Sequence, residues 1–222
     1  MRLRKQYWIV IIYFGLLGGI PSLIRYLFPE FKYNFILSSV MHIIVFLLAI
    51  VIYYPLIYKK WLDFRAEEPR IWLYLLKCIG WLFLTNITVS LIRVVLSPWL
   101  SLDYTPANQL DLINLPLGKC QLFFFVVIFA PIVEELVFRE AFLGHLDMNK
   151  KSHVYFTSLI SIVFFAWMHA THPLDIFLYM PLAMTITLIY WHYKGNVVSS
   201  MVFHAVNNMI GYIIIILLPL LN

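Results

Sequence analysis

Seven stretches of about twenty mostly apolar residues run almost end to end along this chain. They lie near 6–28, 34–58, 71–97, 117–143, 153–171, 174–193 and 197–219. Each has the length that a helix needs to cross a bilayer. In hydrocarbon a backbone must satisfy its own N–H and C=O groups, and an α-helix does so within one segment. The pattern predicts an all-α, polytopic integral membrane helix bundle of about seven transmembrane helices, in a single transmembrane domain over 1–222. Composition agrees: 63% of the residues are hydrophobic and 12% charged, where a soluble domain has about half and a quarter. The first apolar stretch follows Met1-Arg2-Leu3-Arg4-Lys5 like a signal peptide. It lacks a small-x-small cleavage site, so a retained first helix is expected.

The positive residues give an orientation. Arg2, Arg4 and Lys5 precede the first span, and Lys59, Lys60, Arg65 and Arg70 follow the second. Lys150 and Lys151 follow the fourth span, and Lys194 follows the sixth. With alternating spans all of these fall on one side. The other loops hold Lys32 and Lys119, and segment 98–116 carries Asp103 and Asp111 with no basic residue. The positive-inside rule then predicts a multi-pass protein of the cell membrane, with the N-terminus cytoplasmic and the C-terminus outside. The excess of Lys and Arg is spent on topology and anionic headgroups, so the partners are the lipid bilayer and no nucleic acid. Cys78 and Cys120 both lie in apolar stretches and are expected to be buried. They provide neither a disulfide framework nor a zinc knuckle.

Two adjacent carboxylates, Glu134 and Glu135, interrupt the fourth span. A carboxylate at the bilayer centre costs about 2.5–3.5 kcal/mol even on insertion scales, so both must face protein or a water-filled cavity. Arg139 follows Glu135 by one helical turn and can pair with it. Glu134 is rotated by about 100° from Glu135 and is left for chemistry. The plainer alternative is a buried ion pair that only fixes helix packing. His169 in the fifth span, and His204 and Asn208 in the seventh, are further polar groups in apolar helices. Glu134 and His169 lie the same number of residues from the turn near 150–152, hence at one depth. His204 and Asn208 share a helix face on the half of their span nearer the cytoplasm. Each histidine taken alone could be a residue bonded to a neighbouring carbonyl. Together these groups make a site suited to activating water: a carboxylate base, a histidine to share or carry the proton, and donors for an oxyanion. No Gly-x-Ser-x-Gly, His-Glu-x-x-His or Gly-rich phosphate loop is present.

Glu134-Glu135-Leu-Val-Phe-Arg139 matches E-E-x-x-x-R, Phe165-Ala-Trp-Met-His169 matches F-x-x-x-H, and His204-Ala-Val-Asn-Asn208 matches H-x-x-x-N. In this the chain resembles the CPBP family of intramembrane proteases, which includes the type II CAAX prenyl endopeptidases and the Abi proteins tied to bacteriocin self-immunity. The likeness covers about 130–210, within a motif-bearing core of about 117–219. It implies an endopeptidase whose Glu134 and His169 activate water, whose His204 and Asn208 bind the oxyanion, and whose Glu135 and Arg139 support the site. It implies no cofactor. Zinc stays open, since Glu134, His169 and His204 are a possible ligand set. The implied partner is a membrane-embedded or membrane-associated peptide or protein, cut from the cytoplasmic side. Compact size and short loops suggest a bacterial member, for which peptide maturation, bacteriocin immunity or surface-protein processing fits better than prenyl-CAAX processing. The rival readings are a non-catalytic immunity or peptide-binding protein and a small proton-coupled transporter.

His42, inside the second span, matches no motif. His145, His153, His172 and His192 lie near span ends and are expected at the interface. Trp8, Tyr53, Tyr54, Trp61, Trp72, Trp99 and Tyr193 are expected to form interfacial belts.

Overall fold

A computed structural model describes residues 7–28, 30, 35–101, 103–107, 109–110 and 117–217. Arg2, Arg4, Lys5, Lys32 and Asp111 lie outside these, as do the expected span ends at 6, 34 and 219. Among the described residues the chain is helical throughout, with no strand. Seven long helices follow one another: α1 Trp8–Leu27, α2 Phe35–Glu67, α3 Ile71–Leu96, α4 Lys119–Leu143, α5 Lys151–His169, α6 Asp175–His192 and α7 Val197–Leu217. All but α6 are long and apolar enough to cross a membrane. The chain is a multi-pass membrane protein. The second span runs further than its apolar stretch, and its last turns carry Lys59, Lys60 and Arg65.

Side-chain contacts at the helix ends define two faces. On the first, Lys60 Nζ donates to the Gly195 carbonyl (2.7 Å) and Asn196 Nδ2 to the Lys60 carbonyl (2.8 Å). Lys194 pairs with Glu67 at 2.6 Å, and the Tyr193 hydroxyl donates to Glu68 at 2.6 Å. Tyr7 meets His145 there. This face gathers Lys59, Lys60, Arg65, Arg70, Lys150, Lys151 and Lys194, as the charge pattern required. On the opposite face Arg93 donates to the Tyr104 carbonyl, the Tyr104 hydroxyl donates to Asp175 (2.9 Å), and the Tyr212 hydroxyl donates to the Lys119 carbonyl (3.2 Å).

The short turns are built as their residues dictate. Lys194 and Gly195 take positive φ (53° and 73°) after α6, and the Gly195 N–H returns to the Tyr190 carbonyl. Glycine tolerates that conformation because it has no Cβ. The Asn196 carboxamide then accepts the Val198 N–H and caps α7. Between α5 and α6 the buried Asp175 accepts the N–H groups of Thr171 and His172, the Thr171 hydroxyl and the Tyr104 hydroxyl. A carboxylate with four donors is a strong staple, because bonds to charged groups contribute more than neutral ones.

α6 is the interior helix. It buries Leu178, Tyr179, Ala183, Ile186, Ile189 and Tyr190 among its neighbours. Thr85 of α3 bonds Thr185 (2.8 Å), and the Trp191 indole donates to Ser158 of α5 (2.8 Å). Two expected belt residues are also internal. Tyr53 is buried with its hydroxyl accepting the Ile9 N–H, and Tyr193 is buried against Phe64 and Tyr74. Each has a polar partner at its tip, so helix packing rather than the headgroup layer takes the ring. Trp8, Tyr54, Trp61, Trp72 and Trp99 are exposed, as a belt requires. Of the thiols, Cys78 is buried, but Cys120 is exposed one residue into α4.

Asp175→Ala should release the α5–α6 turn at a cost of roughly 2–4 kcal/mol, the scale of lost bonds to one charged group. Thermal unfolding of detergent-purified protein should show the drop. Asp175→Asn should recover part of it.

Candidate active site

The backbone of α4 prepares the site before any side chain does. Two wide, π-type stretches, Phe124–Phe129 and Leu136–Glu140, flank the glutamates. Such stretches recur at functional sites because they leave a carbonyl without its usual partner. Here the Ala130 N–H turns to the Phe125 carbonyl, and Pro131 has no N–H to offer. The Val126 carbonyl therefore loses both helical donors. The Asn208 side chain of α7 supplies one, with Nδ2 at 2.9 Å. That amide keeps a second N–H, and its oxygen accepts from Asn207 Nδ2.

Glu135 and Arg139 pair at 3.2 Å, both fully buried. Arg139 also donates to the Ala183 carbonyl of α6 (3.1 Å), and its guanidinium lies 4.5 Å from the ring centre of Phe165. The same Glu135 oxygen faces His204 Nδ1 at 3.0 Å. A carboxylate only accepts, so Nδ1 carries a hydrogen and Nε2 points away from Glu135. His169 is fixed in the same manner: Nδ1 lies 2.8 Å from the Phe165 carbonyl and must donate to it. Phe165 stacks on the His169 ring and meets His204 edge-on. The Ser161 hydroxyl donates to the Phe138 carbonyl (2.5 Å) and holds α5 against α4.

Both free imidazole nitrogens converge on one oxygen of Glu134. Oε2 lies 3.5 Å from His169 Nε2 and 3.9 Å from His204 Nε2. It is buried and has no hydrogen-bond partner. Those separations are too long for good direct bonds and fit groups that share a small polar molecule. Among the described residues no group of three or more His, Cys, Asp or Glu side chains has the arrangement of a metal site.

Glu134, His169, His204 and Asn208 thus lie together on the wall of a cavity of about 840 Å³. Glu135 and Arg139 lie behind them, in the core. Sequence reasoning missed other members of the wall. His42 and Ser39 of α2 line the cavity, as do Tyr13, Asn86 and Asn207. A histidine in an apolar span was a signal in itself, but nothing in the chain pattern related α2 to α4. His42 Nδ1 lies 2.7 Å from the Ser38 carbonyl, and its ring packs edge-on against Phe125 and Phe129.

The comparisons bear on the same residues. The family described as type II CAAX prenyl endopeptidase Rce1-like matches residues 116–210. UPF0177 protein YbdJ of Lactococcus lactis is 31% identical over 196 residues, 83% of this chain and 80% of that protein. The chain belongs to the CPBP family of intramembrane proteases. A second relative, UPF0177 protein YvdC of the same organism, is 28% identical over 225 residues, 97% of this chain and 79% of that protein. No solved structure matches the chain at a significant level. Membership supports a CAAX-type membrane protease, a hydrolase of the bilayer. The matched stretch begins at the start of α4 and ends two residues beyond Asn208, so it contains every polar group of the motif wall.

Arg139→Ala should strand Glu135 in the core, at about 3–5 kcal/mol, and lower the folded yield. Glu135→Ala should do the same and also free His204. The pair Glu135→Leu with Arg139→Met should cost less than the two single losses added together, measured by thermal unfolding in detergent.

Proposed function

We propose that the protein is an intramembrane endopeptidase that hydrolyses a peptide bond with water activated by Glu134 and His169. The observation that carries this reading is the convergence of His169 Nε2 and His204 Nε2 on a partnerless Glu134 oxygen at a cavity wall.

The chain's own residues account for each step. His169 donates Nδ1–H to the Phe165 carbonyl and turns Nε2 toward Glu134. A water held between them loses its proton to this pair as its oxygen attacks the peptide carbonyl carbon. The carbonyl oxygen becomes an oxyanion. The second N–H of Asn208 and the Nε2 edge of His204 are the groups placed to receive it. Glu135 holds the His204 ring in this orientation through Nδ1. The tetrahedral species collapses, the C–N bond breaks, and the proton held by Glu134 and His169 passes to the leaving amine. No covalent enzyme intermediate is formed. The substrate class is a peptide or protein associated with the membrane, and the fit is to peptide maturation or immunity in a bacterial cell.

Glu134→Gln and His169→Ala should each abolish cleavage while the folded protein stays abundant, tested by comparing membrane peptides from cells with wild type and each variant. Asn208→Ala should lower turnover by about 10²–10³ with substrate affinity nearly kept. Protein treated with a strong chelator should keep its activity. Full activity in purified Glu134→Gln would favour a binding or immunity protein. Loss on chelation and recovery with added zinc would favour metal-assisted hydrolysis.

A further inference from the structure

Packing on the two sides of the motif wall is unequal. Along α7, from its start on the basic face to His204, Val197, Val198, Ser199, Ser200, Met201 and Phe203 are all buried. Beyond His204, no residue from Ala205 to Leu217 is buried. α4 repeats the pattern in the opposite sense of its chain. Every residue from Glu134 to Ala141, on the way to the basic face, is buried. From Lys119 to Ile128 only Leu122 and Val127 are. The plug on the basic side is made of large buried side chains: Phe138, Tyr190, Leu143 and the Phe64–Tyr74–Tyr193 aromatic cluster, with Arg139 bridging α4 and α6.

The cavity follows the loosely packed side. Its walls run from Glu134 along α7 to Gly211 and Ile215, along α4 to Leu117, and on to Thr105 and Gln109 of the connection after α3. No residue of 59–70, 144–150 or 192–196, the helix ends and loops of the basic face, lines it. Space is open beside Gly211: a Cβ built there meets no atom within 4 Å. On the opposite wall Ser39 Oγ is buried without a partner, and His42 Nδ1 is engaged by the Ser38 carbonyl, leaving Nε2. Such groups suit the backbone of an extended peptide, which carries both donors and acceptors. The sequence leads to an expectation of cutting from the cytoplasmic side; buried side chains between the motif wall and the basic face argue for the other side.

We propose that the catalytic cavity is entered only from the face opposite the basic loops, which is the outer face of the cell membrane, so that the substrate is a peptide presented outside the cell. The peptide as occupant rests on the hydrolytic reading of Glu134 and His169; the entry face does not. The outer assignment rests on the basic loops Lys59–Arg70, Lys150–Lys151 and Lys194, which the positive-inside rule keeps in the cytoplasm.

The test is labelling by a membrane-impermeant charged thiol reagent in a Cys78→Ala/Cys120→Ala background. Gly211→Cys sits one turn beyond Asn208 inside the cavity, and Lys150→Cys marks the basic face. In intact cells Gly211→Cys should be labelled and Lys150→Cys should not. In inside-out vesicles the two should exchange. Glu134→Gln combined with Gly211→Cys should label unchanged, so the entry face is read without catalysis. Gly211→Trp should block both labelling of a nearby Asn207→Cys and peptide cleavage, in protein whose detergent unfolding matches wild type. Labelling of Gly211→Cys only from the side that labels Lys150→Cys would overturn the proposal. So would labelling from neither side, or labelling of Lys150→Cys in intact cells.

Discussion

The Glu135 carboxylate is the group on which the rest of the site depends. It lies fully buried in a membrane helix and accepts from Arg139 of its own helix and from His204 of α7. Neither charge would be tolerable in that place alone, because an ion without a partner in low dielectric costs several kcal/mol. Arg139 carries the link onward to the Ala183 carbonyl of α6 and to the face of Phe165 on α5. Four helices are therefore tied through one ion pair. The tie also sets chemistry, since it fixes which nitrogen of His204 bears hydrogen and leaves the other facing Glu134. The two neighbouring acids have divided the work between support and exposure to the cavity, as a rotation of about 100° per residue allows.

A second link is made of backbone. The wide turn before Ala130 and the missing N–H of Pro131 leave the Val126 carbonyl to be satisfied from outside α4. Asn208 does this from α7. Both Val126 and Asn208 line the cavity, and the asparagine satisfies that carbonyl directly rather than leaving it to cavity water, which ties the irregular turn to α7. Asn208 is thus both a clamp between helices and a donor beside the cavity. A loss of activity on its removal reports the donor role only if the helices stay in place, which unfolding measurements can establish.

The tight packing around the Glu135 link lies on the basic side of the motif wall, and the open cavity lies on the other. The same asymmetry explains why α6, although only 18 residues long, sits inside: it fills the space that the plug needs. It also explains Tyr53 and Tyr193. Their position near span ends suits a belt, yet on the basic face that space belongs to the plug, and each hydroxyl finds a protein partner there.

Membrane helices, their alternation, the gathering of basic loops and the three motifs were legible in the chain, because hydrophobic length, charge and spacing along one helix are local properties. The Glu135–Arg139 pair is one turn apart, and the equal depth of Glu134 and His169 follows from counting residues out from a hairpin. What lay beyond the sequence needed contacts between distant segments. His42 could not be related to Glu134, nor Asn208 to Val126, nor Asp175 to Tyr104, since each depends on how helices far apart in the chain lean together. The opening of the cavity belongs to the same class. Which side of a polar wall is filled and which is open is set by side-chain packing summed over all seven long helices, and no spacing within any one of them encodes it.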